Sequence, residues 1–149
     1  MKALISHKRA KFDFELLEHF EAGLELFGTE VKSIRTGKGK LEGAHVVVRG
    51  REAYLVGASI PPFQTANAPR GYDPERPRRL LLTQKEIAAL EQKSEQKGLT
   101  IVPIMMYNKG QHIKLDIAVA RGKRKTDKRQ SIKARDTKRD IERTLKNQQ

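Results

Sequence analysis

Between His112 and Ala120 the chain alternates. Ile113, Leu115, Ile117 and Val119 are large and apolar, and Lys114, Asp116 and Ala118 separate them. Successive side chains of a strand point to opposite faces, so a period of two selects a strand with one buried face and argues against a helix. A strand must satisfy its backbone donors and acceptors on a neighbour. The nearest partner is the apolar segment 99–107, joined to it through Asn108-Lys109-Gly110 as a hairpin. Pro103 has no N–H to donate, which predicts an edge or a bulge in that first strand. The same alternation runs through residues 12–26, where Phe12, Phe14, Leu16, Phe20, Ala22, Leu24 and Leu26 hold even positions. A helix through Leu16, Phe20, Leu24 and Phe27 also fits, but Gly23 would lie inside it, so strand is the preferred reading. Val46-Val47-Val48 and Ala53-Tyr54-Leu55-Val56 flank Arg49-Gly50-Arg51-Glu52 and read as another hairpin.

Two helices interrupt the strands. Residues 84–97 begin with Thr83 and Glu86 at capping-box spacing, with Leu82 and Ile87 placed for a hydrophobic staple, and Gly98 follows. A shorter helix spans 30–36, opened by Thr29 and closed by Gly37. It has Val31 and Ile34 on one face and Lys32, Arg35 and Thr36 on another. Residues 61–79 hold five of the six prolines, a loop long enough to be functional or disordered. The expected fold class is mainly β: a small antiparallel barrel of the five-stranded oligonucleotide-binding type with two or three helices.

Charge decides the class of partner. The chain has 31 Lys and Arg against 18 Asp and Glu, a net charge of +13, which attracts polyanions. No apolar run approaches the roughly 20 residues that span a bilayer, and residues 1–9 lack a signal-peptide stretch, so no membrane partner is expected. There is no cysteine, in keeping with a cytoplasmic protein. The composition shifts near Arg121, dividing the chain into a body, residues 1–120, and a basic tail, residues 121–149. The tail holds twelve basic and four acidic residues, but Ile132, Ile141 and Leu145 are its only large apolar ones. That is too little to offset the entropy of ordering, so the C-terminal tail is expected to be disordered when free. Asp136 with Arg139, Asp140 with Arg143 and Glu142 with Lys146 stand at helical spacings, which predicts a helix on a partner.

No catalytic set emerges, and no cofactor is expected. His7, His19, His45 and His112 are scattered without metal-ligand spacing. Glu15, Glu18, Glu21, Glu25 and Glu30 offer carboxylates to a metal-dependent nuclease, but they read better as solvent-facing charges. Lys32, Arg35 and the run Gly37-Lys38-Gly39-Lys40 are more informative, because clustered cations hold phosphates and glycine lets backbone approach them. With five Phe, three Tyr and no Trp, mostly at core-like positions, recognition of a folded RNA by shape is expected over base stacking. On these grounds alone a general ribosomal-RNA-binding or assembly protein fits as well as any other RNA binder.

Longer stretches resemble a known family. Phe20-Glu21-Ala22-Gly23-Leu24 and the run from Gly28-Thr29-Glu30 to Gly37-Lys38 are similar to the defining block of small protein B, the SsrA-binding proteins. Asp73-Pro74 with Arg78-Arg79-Leu80-Leu81-Leu82, then 97–103, Ala120-Arg121-Gly122-Lys123-Arg124 and Asp127-Lys128-Arg129, follow in the family's order. The resemblance implies a monomeric oligonucleotide-binding barrel that grips the transfer-RNA-like domain of transfer-messenger RNA. It implies delivery to a stalled ribosome by elongation factor Tu, and a tail that folds in the decoding centre and empty message channel. By matching positions, Glu21 and Leu81 secure the RNA and Lys32, Arg35 and Lys38 hold phosphates. Gly23, Ser33, Gly37, Arg78, Arg79, Lys123 and Arg124 complete the implied RNA surface. Asp127, Lys128, Arg129, Lys133, Arg135, Lys138 and Arg139 form the implied ribosome-contacting tail. His7 stands where the family commonly has Asn, Thr126 where Tyr or His is common, and Thr36 where Ala is frequent.

Overall fold

A computed structural model describes residues 2–64 and 70–123. The alternating segments become seven strands in a single antiparallel sheet, ordered β1-β6-β7-β2-β5-β4-β3. In chain order the strands are β1 (Ala3–Ser6), β2 (Phe14–Leu24), β3 (His45–Arg49), β4 (Glu52–Val56), β5 (Arg78–Leu81), β6 (Leu99–Lys109) and β7 (His112–Gly122). The helices are α1 (Ala10–Asp13), α2 (Gly28–Arg35) and α3 (Gln84–Ser94). The sheet curls until β3 lies against β6, to which it is not hydrogen-bonded, and α3 packs on β3, β6 and β7 at that seam. Among the described residues the result is a barrel-like sheet of seven strands rather than five, with β1 and β3 at its edges. Ile34, Leu41, Leu55, Leu90, Ile101, Met106, Leu115 and Ile117 fill its centre. No described helix is long and apolar enough to cross a membrane.

Both hairpins form. In β3–β4, Gly50 and Arg51 both take positive φ (57° and 66°), the mirror-image turn that suits strand twist. In β6–β7 the first strand runs two residues further than expected, to Lys109, and the second starts at His112, leaving Gly110 at φ 62° in the turn. At Pro103, β6 pairs with β7 alone, because β1 pairs only with Met105–Tyr107, so the proline stands on a locally open side of the strand. The register slips between Pro103 and Met105, and this bulge accommodates the missing donor.

The segment 12–26 departs from one continuous strand. Phe12 and Asp13 belong to α1, and β2 itself bulges between Leu16 and Glu18. Before the bulge Leu16 stands opposite Ala120, and after it Phe20 stands opposite Ile117, on the other face of β7. Phe20, Ala22 and Leu24 therefore reach the main core and Leu16 does not, although all hold even positions.

Helix α2 starts two residues earlier than the sequence suggests, after Phe27. The Phe27 N–H donates to the Glu30 carboxylate at 2.8 Å, so Glu30 and not Thr29 caps it. Thr29 Oγ1 is buried with no hydrogen-bond partner among the described residues. Helix α3 has its capping box, with the Glu86 N–H donating to Thr83 Oγ1 at 3.2 Å and the Thr83 N–H to Glu86 Oε1 at 3.0 Å. It ends at Ser94, and Gly98 turns the chain into β6 at φ 82°.

Candidate nucleic-acid interface

Beyond its bulge, β2 sends Ala22 to the core, so Glu21 and Gly23 belong to its outer face. Gly23 stands opposite Leu81 of β5 and Lys114 of β7. A Cβ on Gly23 would sit 3.1 Å from Leu81 Cβ, so the bare backbone there is what lets Leu81 lie close across it. Leu81 is nonetheless 49% exposed, an apolar side chain offered to solvent beside a carboxylate. Glu21 Oε2 accepts a hydrogen bond from the Tyr107 hydroxyl at 2.5 Å, and Oε1 accepts from Lys109 Nζ at 2.9 Å. These bonds hold the Glu21 carboxyl below its ordinary range, with the Tyr107 contact the larger cause. Burial and the Glu21 contact push the Tyr107 hydroxyl well up, so it stays a donor at any physiological pH. Glu21, Arg79, Leu81, Lys114 and Arg51 line a shallow cleft of ≈ 380 Å³. Arg79 in that cleft is shared between Glu25 at 3.4 Å and Glu52 at 3.3 Å.

A second group lies at the end of α2. Lys32, Arg35 and Lys38 are exposed, as the helical spacing requires once Ile34 is buried. Gly37 takes φ 79° and its N–H donates to the Ile34 carbonyl at 2.9 Å, closing the helix. Lys38 Nζ lies 5.7 Å from the Phe63 ring centre. Arg35 Nη2 donates to the Gln111 carbonyl at 2.9 Å, which ties this end of α2 to the tip of the β6–β7 hairpin. That hairpin also carries Lys109, so the two groups are mechanically joined.

Not every expected residue is on these surfaces. Arg78 is fully buried and is corrected to an internal ion-pair partner, since a guanidinium with no exposed area cannot meet a phosphate. Its Nη2 and Nε donate to Glu30 Oε2 at 2.7 and 3.0 Å, and Nη1 donates to the Ala58 carbonyl at 2.9 Å. Arg76 Nη2 donates to Glu30 Oε1, and the Tyr72 hydroxyl lies 3.0 Å from Oε2. Burial pushes the Glu30 carboxyl up, but the bonds from Arg76, the Phe27 N–H and Arg78 outweigh it and hold the group low. Ser33 is likewise buried, its hydroxyl donating to the Pro61 carbonyl at 2.6 Å, so its role is to anchor the proline-rich loop. Lys123 sits at the other end of the β2–β7 pair, with its N–H donating to the Asp13 carbonyl at 2.9 Å. At about 3.3 Å per residue, that places it roughly 20 Å from Glu21. Arg124 and the tail residues Asp127, Lys128, Arg129, Lys133, Arg135, Lys138 and Arg139 lie outside the described residues.

Three contributors escape a sequence reading. Tyr107 looks like one more core aromatic, and Lys109 and Lys114 look like ordinary solvated cations. Only the cross-strand register brings them to Glu21. His7 is the reverse case, an expected departure with a local answer. It is buried, and its Nδ1 lies 3.0 Å from the Pro103 carbonyl, so the imidazole pins the chain after β1 to the bulge in β6. Among the described residues no group of three or more His, Cys, Asp or Glu is placed to hold a metal ion.

The profile of the SmpB protein family matches residues 4–147. The chain belongs to the SmpB protein family. An SsrA-binding protein from Gloeobacter violaceus is 46% identical over 145 residues, spanning 97% of this chain and 95% of that one. Another, from Synechococcus sp. (strain JA-3-3Ab), is 48% identical over 147 residues, spanning 98% and 95%. A solved structure described as "tmRNA-SmpB: a journey to the center of the bacterial ribosome" superposes with a TM-score of 0.68 at 40% identity. It covers 85% of this chain and 92% of that one. The SmpB fold therefore extends over the body described above, and the Glu21–Leu81 face is part of it.

Proposed function

We propose that this chain is a non-catalytic cytoplasmic factor that binds the transfer-RNA-like domain of transfer-messenger RNA and acts with it on stalled ribosomes. Glu21, Gly23 and Leu81 form one contact region, and Lys32, Arg35, Gly37 and Lys38 form the other, which holds phosphates. The residues after Lys123 reach the ribosome, where the basic tail folds in the message channel and decoding centre. Elongation factor Tu enters only through the shared RNA. The observation that carries the reading is that Leu81 lies over the bare backbone of Gly23 in one cleft with Glu21, in an SmpB-family chain. A carboxylate and an exposed leucine are a poor choice for generic polyanion binding and a sensible one for a specific nucleotide surface.

The test is binding of labelled transfer-RNA-like domain by the full chain and by a chain ending at Lys123, which keeps β7 whole. A hairpin RNA of matched length serves as competitor at near-physiological salt. Tight, competitor-resistant binding by both proteins is expected, with peptide tagging on stalled ribosomes lost only in the shorter one. Binding that the hairpin displaces with equal ease, or retention on a ribosomal subunit in high salt, would favour a general ribosomal-RNA binder.

A further inference from the structure

Glu21 stands out by its surroundings. In a chain of net charge +13 an exposed carboxylate on an RNA surface repels phosphate, and nothing about its position demands a partner, since water could solvate it. Two donors from other parts of the chain nevertheless converge on it. Tyr107 belongs to β6, and β7 lies between β6 and β2, so its hydroxyl reaches across a whole strand to Glu21 Oε2. The Tyr107 ring is buried, only 4% exposed, which leaves the hydroxyl little freedom to move. Lys109, two residues further along β6, takes the other oxygen. An ionised carboxylate has about four acceptor positions and no donor, so among the described residues one bond on each oxygen leaves one acceptor position on each.

We propose that Tyr107 and Lys109 are positioning residues that lock the Glu21 carboxylate in one orientation, so that its remaining acceptor positions read N–H or O–H donors of an unpaired nucleotide beside Leu81. The inference rests on the RNA-binding reading above. Lys109 also offsets the charge of Glu21, which lets neighbouring phosphates approach without repulsion. The donor is either a guanine Watson–Crick edge, which presents N1–H and N2–H side by side, or a ribose 2′-hydroxyl; both satisfy an acceptor-only group. Pre-organisation is where the gain arises, because a carboxylate already held in place loses no rotamer freedom on binding.

Tyr107→Phe in the full chain removes only the hydroxyl. The expected result is about tenfold weaker binding to the transfer-RNA-like domain with an unchanged salt dependence, as for one lost hydrogen bond to a charged group. Carboxyl NMR should show the Glu21 titration midpoint rising in the variant. In a Glu21→Gln background the same change should matter less than twofold. Should Tyr107→Phe not fold, Lys109→Met, on an exposed side chain, carries the same cycle. Scanning the RNA with single inosine and 2′-deoxy substitutions identifies the donor: one position should lose its effect once Glu21 is Gln. A full tenfold loss persisting in the Gln background, or an unmoved Glu21 midpoint, overturns the positioning role. So does an RNA scan with no Glu21-dependent position. Wild-type protein that prefers the hairpin equally sinks the RNA-binding reading itself, whereas specific wild-type binding with a normal Tyr107→Phe variant sinks only this inference.

Discussion

Glu21 and Glu30 are built alike and used differently. Each carboxylate meets a tyrosine hydroxyl and at least one cation: Tyr107 with Lys109 in one case, Tyr72 with Arg76 and Arg78 in the other. Both are held below the ordinary carboxyl range. Glu30 is fully buried, at 0% exposure, and every acceptor position is spent within the protein. It fastens the proline-rich loop and β5 to the start of α2. Glu21 lies at the surface with acceptor capacity left over. The same chemical arrangement serves stability where water is excluded and recognition where it is not, because desolvation makes an unpaired buried charge costly and an exposed one cheap.

The buried clamp around Glu30 is the more vulnerable of the two to substitution. Arg78→Met removes one partner of a fully buried ion pair and should lower unfolding free energy by about 3–5 kcal/mol in urea titrations. A loss under ~1 kcal/mol would mean that Arg76 alone suffices for Glu30. The pH dependence follows from the lowered Glu30 value. Its contribution to stability is fully present above the ordinary carboxyl value of 4.5 and is lost as pH falls through the lower folded value. The wild-type urea midpoint should fall in that acid range, and Glu30→Gln, less stable throughout, should show a flatter decline there. A parallel decline in both proteins would assign acid sensitivity to other carboxylates.

On the exposed side, Glu21→Gln should leave the urea unfolding midpoint close to that of wild type. RNA affinity should nonetheless fall by about 10- to 100-fold, the range for hydrogen bonds to charged groups. Equal losses of stability and affinity would make Glu21 a second structural clamp. The smallest expected effect belongs to the α2 end. Lys32→Ala with Arg35→Ala should reduce the slope of log K against log salt by roughly 1.4–1.8, two phosphate contacts, with modest loss of affinity. An unaltered slope would move the phosphates elsewhere on the body.

Local patterns were readable in the chain, and the pairs that close the site were not. The alternation at Ile113, Leu115, Ile117 and Val119 gave β7, and Thr83 with Glu86 gave the start of α3, because both depend on neighbours a few residues away. The alternation at 12–26 misled at one point. An extra residue at the bulge puts Leu16 and Phe20 on opposite faces, and no composition signal marks it. The resemblance led to Glu21, Leu81 and the cationic end of α2. It also swept in Arg78 and Ser33, which burial removes from the surface, since a motif records which residues recur and not whether they face in or out.

By itself the sequence determined that this chain makes a mainly β body with a basic surface, starts α3 at Thr83, and carries the SmpB family's blocks in order. Those properties reside in periodicity, capping and charge, which act over a turn or along the whole surface. Only the tertiary structure decided that Tyr107 and Lys109 would serve Glu21 while Arg78 would serve Glu30. These partnerships span from 48 to 88 residues of chain, and they exist because strand register and burial bring the groups within hydrogen-bond reach.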